Sequence, residues 1–333
     1  MKKKMKNISS GLLLRGLLIM SVALIISNCT KEEEPPPDQC PDLTGAPTLN
    51  SDWVSFVNWD EATVVEIVAE EEDEEHMHYT PSSLQFVAGM PYILKIKVLA
   101  SNQEKHYFHA PEFFKAIATR KVQTTSAEYK APYFDDLELV LNGEAEVFFV
   151  PVIAGQYDLW CTITGHQEAG MEMSVEILCG AGLSLDLEVD PNFNTALGSD
   201  DRRSGDHVVW ETKQEIEVTM VEHSSEAGSE DFAFDPDTII LNADQGYVLK
   251  IKNPADNSSK HYFTAPEFFQ SVVTRKAEDP RAEIKVPYFN AVEILIGSYS
   301  ELFIVPTVAG TYGLECTITG HVEAGMVGTI IVQ

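Results

Sequence analysis

The sequence predicts an all-β protein built as two tandem Greek-key β-sandwiches or barrels, each with a short helical insertion. Three observations carry that expectation. Sliding the chain by 155 residues lays Tyr79–Leu178 on Phe234–Gln333 without a gap, and self-similarity at a fixed offset marks a duplicated unit. Within each unit apolar and polar residues alternate, with Leu94, Ile96 and Val98 against Lys95 and Lys97, and Leu249 and Ile251 around Lys250. That is the period of a half-buried strand. Val292–Ile296, Glu301–Val305, Tyr312–Glu315 and Gly328–Val332 read as further strands, separated by Gly and Pro turns, and several short strands of this kind suit a Greek-key architecture. Only Pro111–Arg120 and Pro266–Arg275 read as helical, each opening on a proline, which is at home in a first helical turn.

Composition narrows the function. The 333 residues carry 23 Lys+Arg against 52 Asp+Glu, for a formal net charge of -29. Nucleic acid is excluded as a partner, because phosphate binding relies on Lys and Arg releasing counterions. An anionic membrane surface is repelled as well. A partner chosen by electrostatics should be basic.

In chain order, the first segment reads as an address. Residues 1–28 hold Lys2, Lys3, Lys4, Lys6 and Arg15 with no acid, then an apolar stretch from Gly16 to Ser27 that ends at Asn28-Cys29. The stretch is too short to span a bilayer as a helix. It resembles a bacterial lipoprotein signal peptide, which implies cleavage before Cys29 and lipid chains on that cysteine. The protein is then expected outside the cytoplasm, held to a bacterial membrane through its lipid alone, on the periplasmic side of the outer membrane or at the cell surface. Losing the five leader cations would take the charge from -29 to about -34. Residues 29–51 are an acidic, Pro-rich tether unable to pack a core.

The first domain is expected over 52–180 and the second over 207–333. The linker 181–206 is rich in Gly, Asn and Asp. Within it Leu183, Leu185, Leu187 and Val189 alternate with polar residues, which predicts an extra edge strand. Cys40 and Cys179 bracket the first domain and could form a disulfide in an oxidising compartment.

The two units keep one set of chemistry-bearing residues. His106, Cys161, His166 and Met171 recur as His261, Cys316, His321 and Met326, the last three in each set spaced Cys-x4-His-x4-Met. The surrounding blocks, CTITGHQEAGM and CTITGHVEAGM, are nearly identical. One thiolate, two imidazoles and a thioether are what a trigonal copper site with a weak axial methionine requires. Zinc fits less well, since its sites are closed by harder or thiolate donors.

The stretch GTYGLECTITGHVEAGMVGTIIV closely resembles the C-terminal end of cupredoxins, the blue copper proteins of the plastocyanin and auracyanin type. The resemblance extends over nearly all of both domains. It implies two type 1 copper sites per chain, with Cys161 and Cys316 as thiolate ligands, His106 with His166 and His261 with His321 as imidazole pairs, and Met171 and Met326 as axial ligands. It also implies that His166 and His321 serve as electron ports. One departure concerns the asparagine that often precedes the first histidine in that family. Here Lys105 and Lys260 stand there, and Asn102 and Asn257 lie earlier.

The expected function is therefore electron transfer between extracytoplasmic redox partners, such as a basic cytochrome or a terminal oxidase or reductase. Trp160 and Thr162 flank Cys161, and Glu315 and Thr317 flank Cys316. With no histidine beside either cysteine to relay electrons onward, the chain is expected to be a carrier and not an enzyme. The alternative is a copper-handling protein for resistance or delivery, drawing on Glu70–Glu75 and His76-Met77-His78, although such an acidic run is usually a solvated loop. His109 reads as a surface or supporting residue, its counterpart being Thr264.

Overall fold

A computed structural model describes residues 54, 57–73, 75–179, 210–224 and 230–333. The leader, the tether and the predicted linker strand, with Cys29 and Cys40, lie outside them. In the first repeat the strands are β1 (Thr63–Asp73), β2 (His76–Thr80), β3 (Ser83–Val87), β4 (Tyr92–Val98), β5 (His106–His109), β6 (Ile117–Thr124), β7 (Ala127–Lys130), β8 (Asp136–Leu139), β9 (Glu144–Pro151), β10 (Gly155–Trp160) and β11 (Glu172–Leu178). The second repeat supplies β12 (Gln214–Ser224), β13 (Glu230–Asp235), β14 (Thr238–Leu241), β15 (Tyr247–Asn253), β16 (His261–Thr264), β17 (Val272–Glu278), β18 (Ala282–Lys285), β19 (Ala291–Ile294), β20 (Ser298–Pro306), β21 (Gly310–Glu315) and β22 (Val327–Val332). The fold is all-β, as predicted.

Alternation decides which face each strand buries. In β4 the residues Tyr92, Leu94, Ile96 and Val98 are buried and the lysines between them are half-exposed. The helices are shorter than the sequence suggests. Helix α1 is Pro111–Lys115 and helix α2 is Pro266–Gln270. Each makes one turn, pinned by buried Phe113 and Phe114 or Phe268 and Phe269. The chain then becomes strand, because Val272, Val273 and Thr274 are β-branched and buried, as are Ile117 and Thr119, and such residues favour the pleated surface.

The two repeats do not form separate sheets. One sheet runs β14-β22-β21-β16-β19-β7-β6-β9-β4-β1-β2, and the other β13-β12-β15-β20-β17-β18-β8-β5-β10-β11-β3. They cross the repeat boundary at β19–β7, where Ile294 faces Ala127, and at β18–β8, where Ala282 faces Leu139. Strand β7 corresponds to β18, and β8 to β19, at the 155-residue offset. Each junction thus joins one strand of either kind, and a pseudo-twofold axis passes between the sheets. A single hydrophobic cluster spans both halves, from Phe86, Phe113 and Phe149 to Phe263, Phe268 and Phe289. Burying each such side chain contributes on the order of 2–3 kcal/mol. Among the described residues no helix is long and apolar enough to cross a membrane.

Candidate metal centres

Strand β10 ends at Trp160 and β21 at Glu315, so Cys161 and Cys316 are the first residues to leave their sheets. The loop that follows folds back on itself. Met171 N–H donates to the His166 carbonyl (2.9 Å) and Cys161 N–H to the Met171 carbonyl (3.0 Å). In the second repeat the same bonds join Met326 to His321 (2.9 Å) and Cys316 to Met326 (3.1 Å). Gly170 makes this closure workable. Its φ is +106°, and a Cβ there would stand 2.8 Å from the Met77 carbonyl, a conformation and a gap that only glycine tolerates. Strand β2 supports the loop from outside, with Met77 N–H donating to the Ala169 carbonyl at 3.0 Å. Phe232 does the same for Ala324.

Strand β5 delivers His106 to the inside of this loop, and β16 delivers His261. His166 Nδ1 lies 3.3 Å from His106 Nδ1 and 3.5 Å from Cys161 Sγ. His321 Nδ1 lies 3.1 Å from His261 Nδ1 and 3.4 Å from Cys316 Sγ. Met171 and Met326 are fully buried in the same loops. Three donors about 2.0–2.3 Å from one ion in a plane would stand roughly 3.5 Å apart. Two donor–donor distances in each centre therefore match a trigonal metal site, and all three donors lie within 4.8 Å of one another.

Charge supports the same conclusion. Burial, followed by the neighbouring His166, pulls His106 down to about 4. Burial lowers His261 as well, against the opposing pull of Glu222. His106 and His261 are thus neutral and carry a lone pair at neutral pH. Burial raises both Cys161 and Cys316, so a thiol keeps its proton until a cation displaces it. In the second centre His261 Nε2 donates to Glu222 at 2.9 Å, which turns the lone pair of Nδ1 toward Nδ1 of His321. Two imidazole nitrogens and a sulfur that converge at these distances offer one cation three donors. A soft, mixed N₂S set with a buried thioether fits copper.

The sequence missed the residues that brace these sites. Glu222 accepts from Ser258 and Ser259, through both backbone N–H groups and both hydroxyls (2.6–2.9 Å). Burial opposes its ionisation, but these hydrogen bonds outweigh it and bring the carboxyl to about 2. Its counterpart Glu71 accepts from Gln103 N–H at 2.7 Å and stands 4.0 Å from His106 Nε2. These glutamates are 151 residues apart, since the hairpin after β12 is four residues longer than that after β1. A gap-free 155-residue alignment therefore hides their equivalence. Asn102 and Asn257 are buried and donate to the Ala69 and Met220 carbonyls at 2.9 and 2.8 Å, tying the same loops to β1 and β12. The thiolates receive backbone hydrogen bonds from Tyr107 N–H (3.4 Å) and Tyr262 N–H (3.3 Å).

The centres differ beyond their ligands. Phe232 packs on the His321 ring at 4.4 Å, whereas the first repeat has Met77 at that position. His166 Nε2 meets Glu104 at 3.3 Å, and Ser259 replaces that glutamate in the second repeat. The remaining predicted residues lie elsewhere. The acidic run is strand for most of its length: Glu70–Asp73 complete β1 and pair with β2, and Glu75 lies in the turn that follows. His76 bonds Asp73 at 2.7 Å and His78 bonds Glu70 at 3.1 Å, while Met77 is buried. Those three side chains do not converge. Among the described residues, three-donor groups of His, Cys, Asp or Glu occur at the two centres alone. His109 bonds Asp136 and packs on Trp160. Cys179 is disulfide-bonded; its predicted partner Cys40 lies outside the described residues.

No protein-family model and no curated protein matches the chain. Solved structures do. A copper nitrite reductase from Nitrosomonas europaea aligns over 82% of this chain and 94% of its own at 11% identity, with a TM-score of 0.29. Fet3p, a multicopper oxidase that functions in iron import, aligns over 83% and 66% at 9% identity, with a TM-score of 0.32. Auracyanin B aligns over 36% and 88% at 19% identity, with a TM-score of 0.25. Likeness at this level concerns the fold alone. The strand order and the twin donor sets define the class: an all-β, two-sheet protein with two buried sites whose donors suit copper.

The same neighbours correct one expectation. The nitrite reductase and the multicopper oxidases, which cover more than four-fifths of this chain, are enzymes. The exclusion of an enzyme, drawn from the lack of histidine beside Cys161 and Cys316, does not stand. A neighbouring histidine is one relay among several that a folded chain can build, and the sequence next to the cysteine does not survey the others.

Proposed function

We propose that each repeat holds one type 1 copper and that the chain takes up and passes on single electrons. The ligands are His106, Cys161, His166 and Met171 in the first repeat, and His261, Cys316, His321 and Met326 in the second. The observation that carries this reading is the twice-built, buried group of two imidazoles and one thiol, in which one Nδ1 stands 3.1–3.5 Å from both the other Nδ1 and the Sγ and all three donors lie within 4.8 Å of one another. Copper supplies a one-electron couple, and the chain keeps its surroundings fixed. The loops are closed by backbone hydrogen bonds, so little need move when the charge changes. Burial of the ligands excludes water, and Glu222 at Nε2 holds the orientation of His261.

The wider setting belongs to the same proposal: lipid attachment through Cys29, a place outside the cytoplasm, and a basic redox partner drawn to a charge of -29 or below. A copper-delivery role gains no support from the His76-Met77-His78 segment, whose side chains have separate partners. Copper(II) titration of the purified protein is expected to give an intense visible thiolate-to-copper band and two coppers per chain. Cys161→Ser and Cys316→Ser should each remove about half of that band. A stoichiometry of zero or one, or binding without the band, would overturn the reading. Assays for consumption of oxygen or nitrite with an electron donor then establish whether the electrons end on a small molecule or on a protein.

A further inference from the structure

The pseudo-twofold axis exchanges the two sheets while keeping strand direction, because β7 of one sheet maps onto β18 of the other. Such an axis runs along the strands, so both metal centres open at the same end of the molecule. Strand β5 stands one strand from the junction on one side and β16 one strand from it on the other. Three strand spacings of about 4.8 Å sideways and one sheet spacing of about 10 Å put the two ligand strands roughly 17 Å apart.

At the axis, two equivalent residues meet. Thr124 and Asp279 are 155 positions apart, and the Thr124 hydroxyl donates to Asp279 Oδ2 at 2.7 Å. From Asp279 the line continues to the first centre. Ala282 N–H donates to Asp279 Oδ1 at 2.9 Å, Ala282 faces Leu139 across β18–β8, and Leu139 faces His106 across β8–β5. From Thr124 it continues to the second. Ala127 N–H donates to the Thr124 hydroxyl at 3.0 Å, Ala127 faces Ile294 across β7–β19, and Ile294 faces His261 across β19–β16. The buried Tyr129 hydroxyl also donates to Asp279, at 3.1 Å, fixing the bridge from below. A metal ligand in one half is thus joined to its equivalent in the other by strand ladders and three hydrogen bonds made to the side chains of Thr124 and Asp279.

We propose that the two centres exchange an electron with one another inside a single chain, through the Thr124–Asp279 bridge. The step builds on the type 1 copper reading above. One centre goes from copper(I) to copper(II) as the other goes from copper(II) to copper(I); no proton moves and no bond is made or broken. Bonded and hydrogen-bonded contacts carry an electron further than open gaps do, and the bridge links the β18–β8 ladder of one sheet to the β19–β7 ladder of the other.

The test uses the full chain loaded with copper, with Met326→Leu as a tag that moves the second centre's band and potential. A laser-flash photoreductant delivers less than one electron per chain. The two bands should then relax against each other in a phase whose rate does not change with protein concentration. Thr124→Val should slow that phase several-fold while both band positions and the copper content stay as they were. Relaxation proportional to protein concentration would overturn the proposal, as would an unchanged rate in a properly loaded Thr124→Val protein. The concentration series alone decides the matter if that variant fails to fold. Absence of the copper bands would instead overturn the type 1 reading itself, so the two failures are distinguishable.

Discussion

Nε2 of His261 donates a hydrogen bond to Glu222 at 2.9 Å, and Glu222 is itself locked by four hydrogen bonds from Ser258 and Ser259. A carboxylate on the last residues of β12 thereby fixes the tautomer and direction of an imidazole on β16. In the first centre the corresponding acid, Glu71, stands off at 4.0 Å, and His106 Nε2 is buried without a hydrogen-bond partner among the described residues.

Removing the brace should weaken metal binding at the second centre. Loss of such an outer carboxylate typically costs about 10–100-fold in affinity. Glu222→Ala is expected to fall in that range and Glu222→Gln to lose less, as read by chelator competition against copper. An unchanged affinity would show that the imidazole is held by packing alone.

Gly170 and Gly165 offer a graded test of the first loop. Both have positive φ, +106° and +92°, and placing a side chain in that region costs about 1–2 kcal/mol. Only at Gly170 would the new Cβ meet backbone, at 2.8 Å from the Met77 carbonyl. Gly170→Ala should therefore lower Tm more than Gly165→Ala and release copper from the first centre while the second keeps its own. Equal losses in the two variants would mean that the contact with β2 is dispensable.

Glu293 should make stability depend on pH in a predictable direction. Burial, and next the charge of Glu128, raise its carboxyl above the usual range. Its ionised form is disfavoured in the fold, so it costs stability at neutral pH and returns it as pH falls through the raised value toward the unfolded one. Glu293→Gln removes that cost and forfeits an ion pair with Lys260, whose side chain is half-exposed, which is worth little. The variant should melt a few degrees above wild type at pH 8, with the gap closing toward pH 4. Each 1 kcal/mol corresponds to about 2–4 °C in a protein of this order of size. A gap that widens on acidification would contradict the assignment.

The shared sheets predict how half of the molecule behaves alone. A chain of residues 207–333 would expose the edges of β18 and β19, which pair with β8 and β7 in the whole protein. Unpaired edges are templates for another chain, and each of these edges is equivalent to the partner that the other has lost. The fragment should form a symmetric dimer by β18–β19 pairing, measured by light scattering. A stable monomer would show that the junction contributes little to the fold of either repeat.

Much of the candidate site was legible in the sequence. Cys161, His166 and Met171 share one short loop with identical spacing in the second repeat, so side-chain chemistry and local distance already point to one ion. His106 and His261 were legible through the duplication. Strand alternation likewise exposed β4, whose buried and half-exposed residues follow a strict period, and β15, which alternates from Leu249 onward. The helices were overread beyond Lys115 and Gln270, because a proline start says nothing of where buried β-branched residues take the chain into a sheet.

The sequence by itself determined the duplicated all-β unit and the eight donors, since these depend on residue type and on spacing within a loop or strand. Tertiary structure alone decided which acids stand behind the imidazoles, because Glu71 and Glu222 reach their histidines from strands 35 and 39 residues away. It also decided that two repeats share both sheets and that Thr124 meets Asp279. Strands β7, β8, β18 and β19 are four residues each; Val292–Ile296 reads as a strand in the sequence, but none of the four is long enough for its pattern to name a partner. Their partners are chosen by which edges remain open once both halves have folded, a property of the assembled molecule and of no local stretch of it.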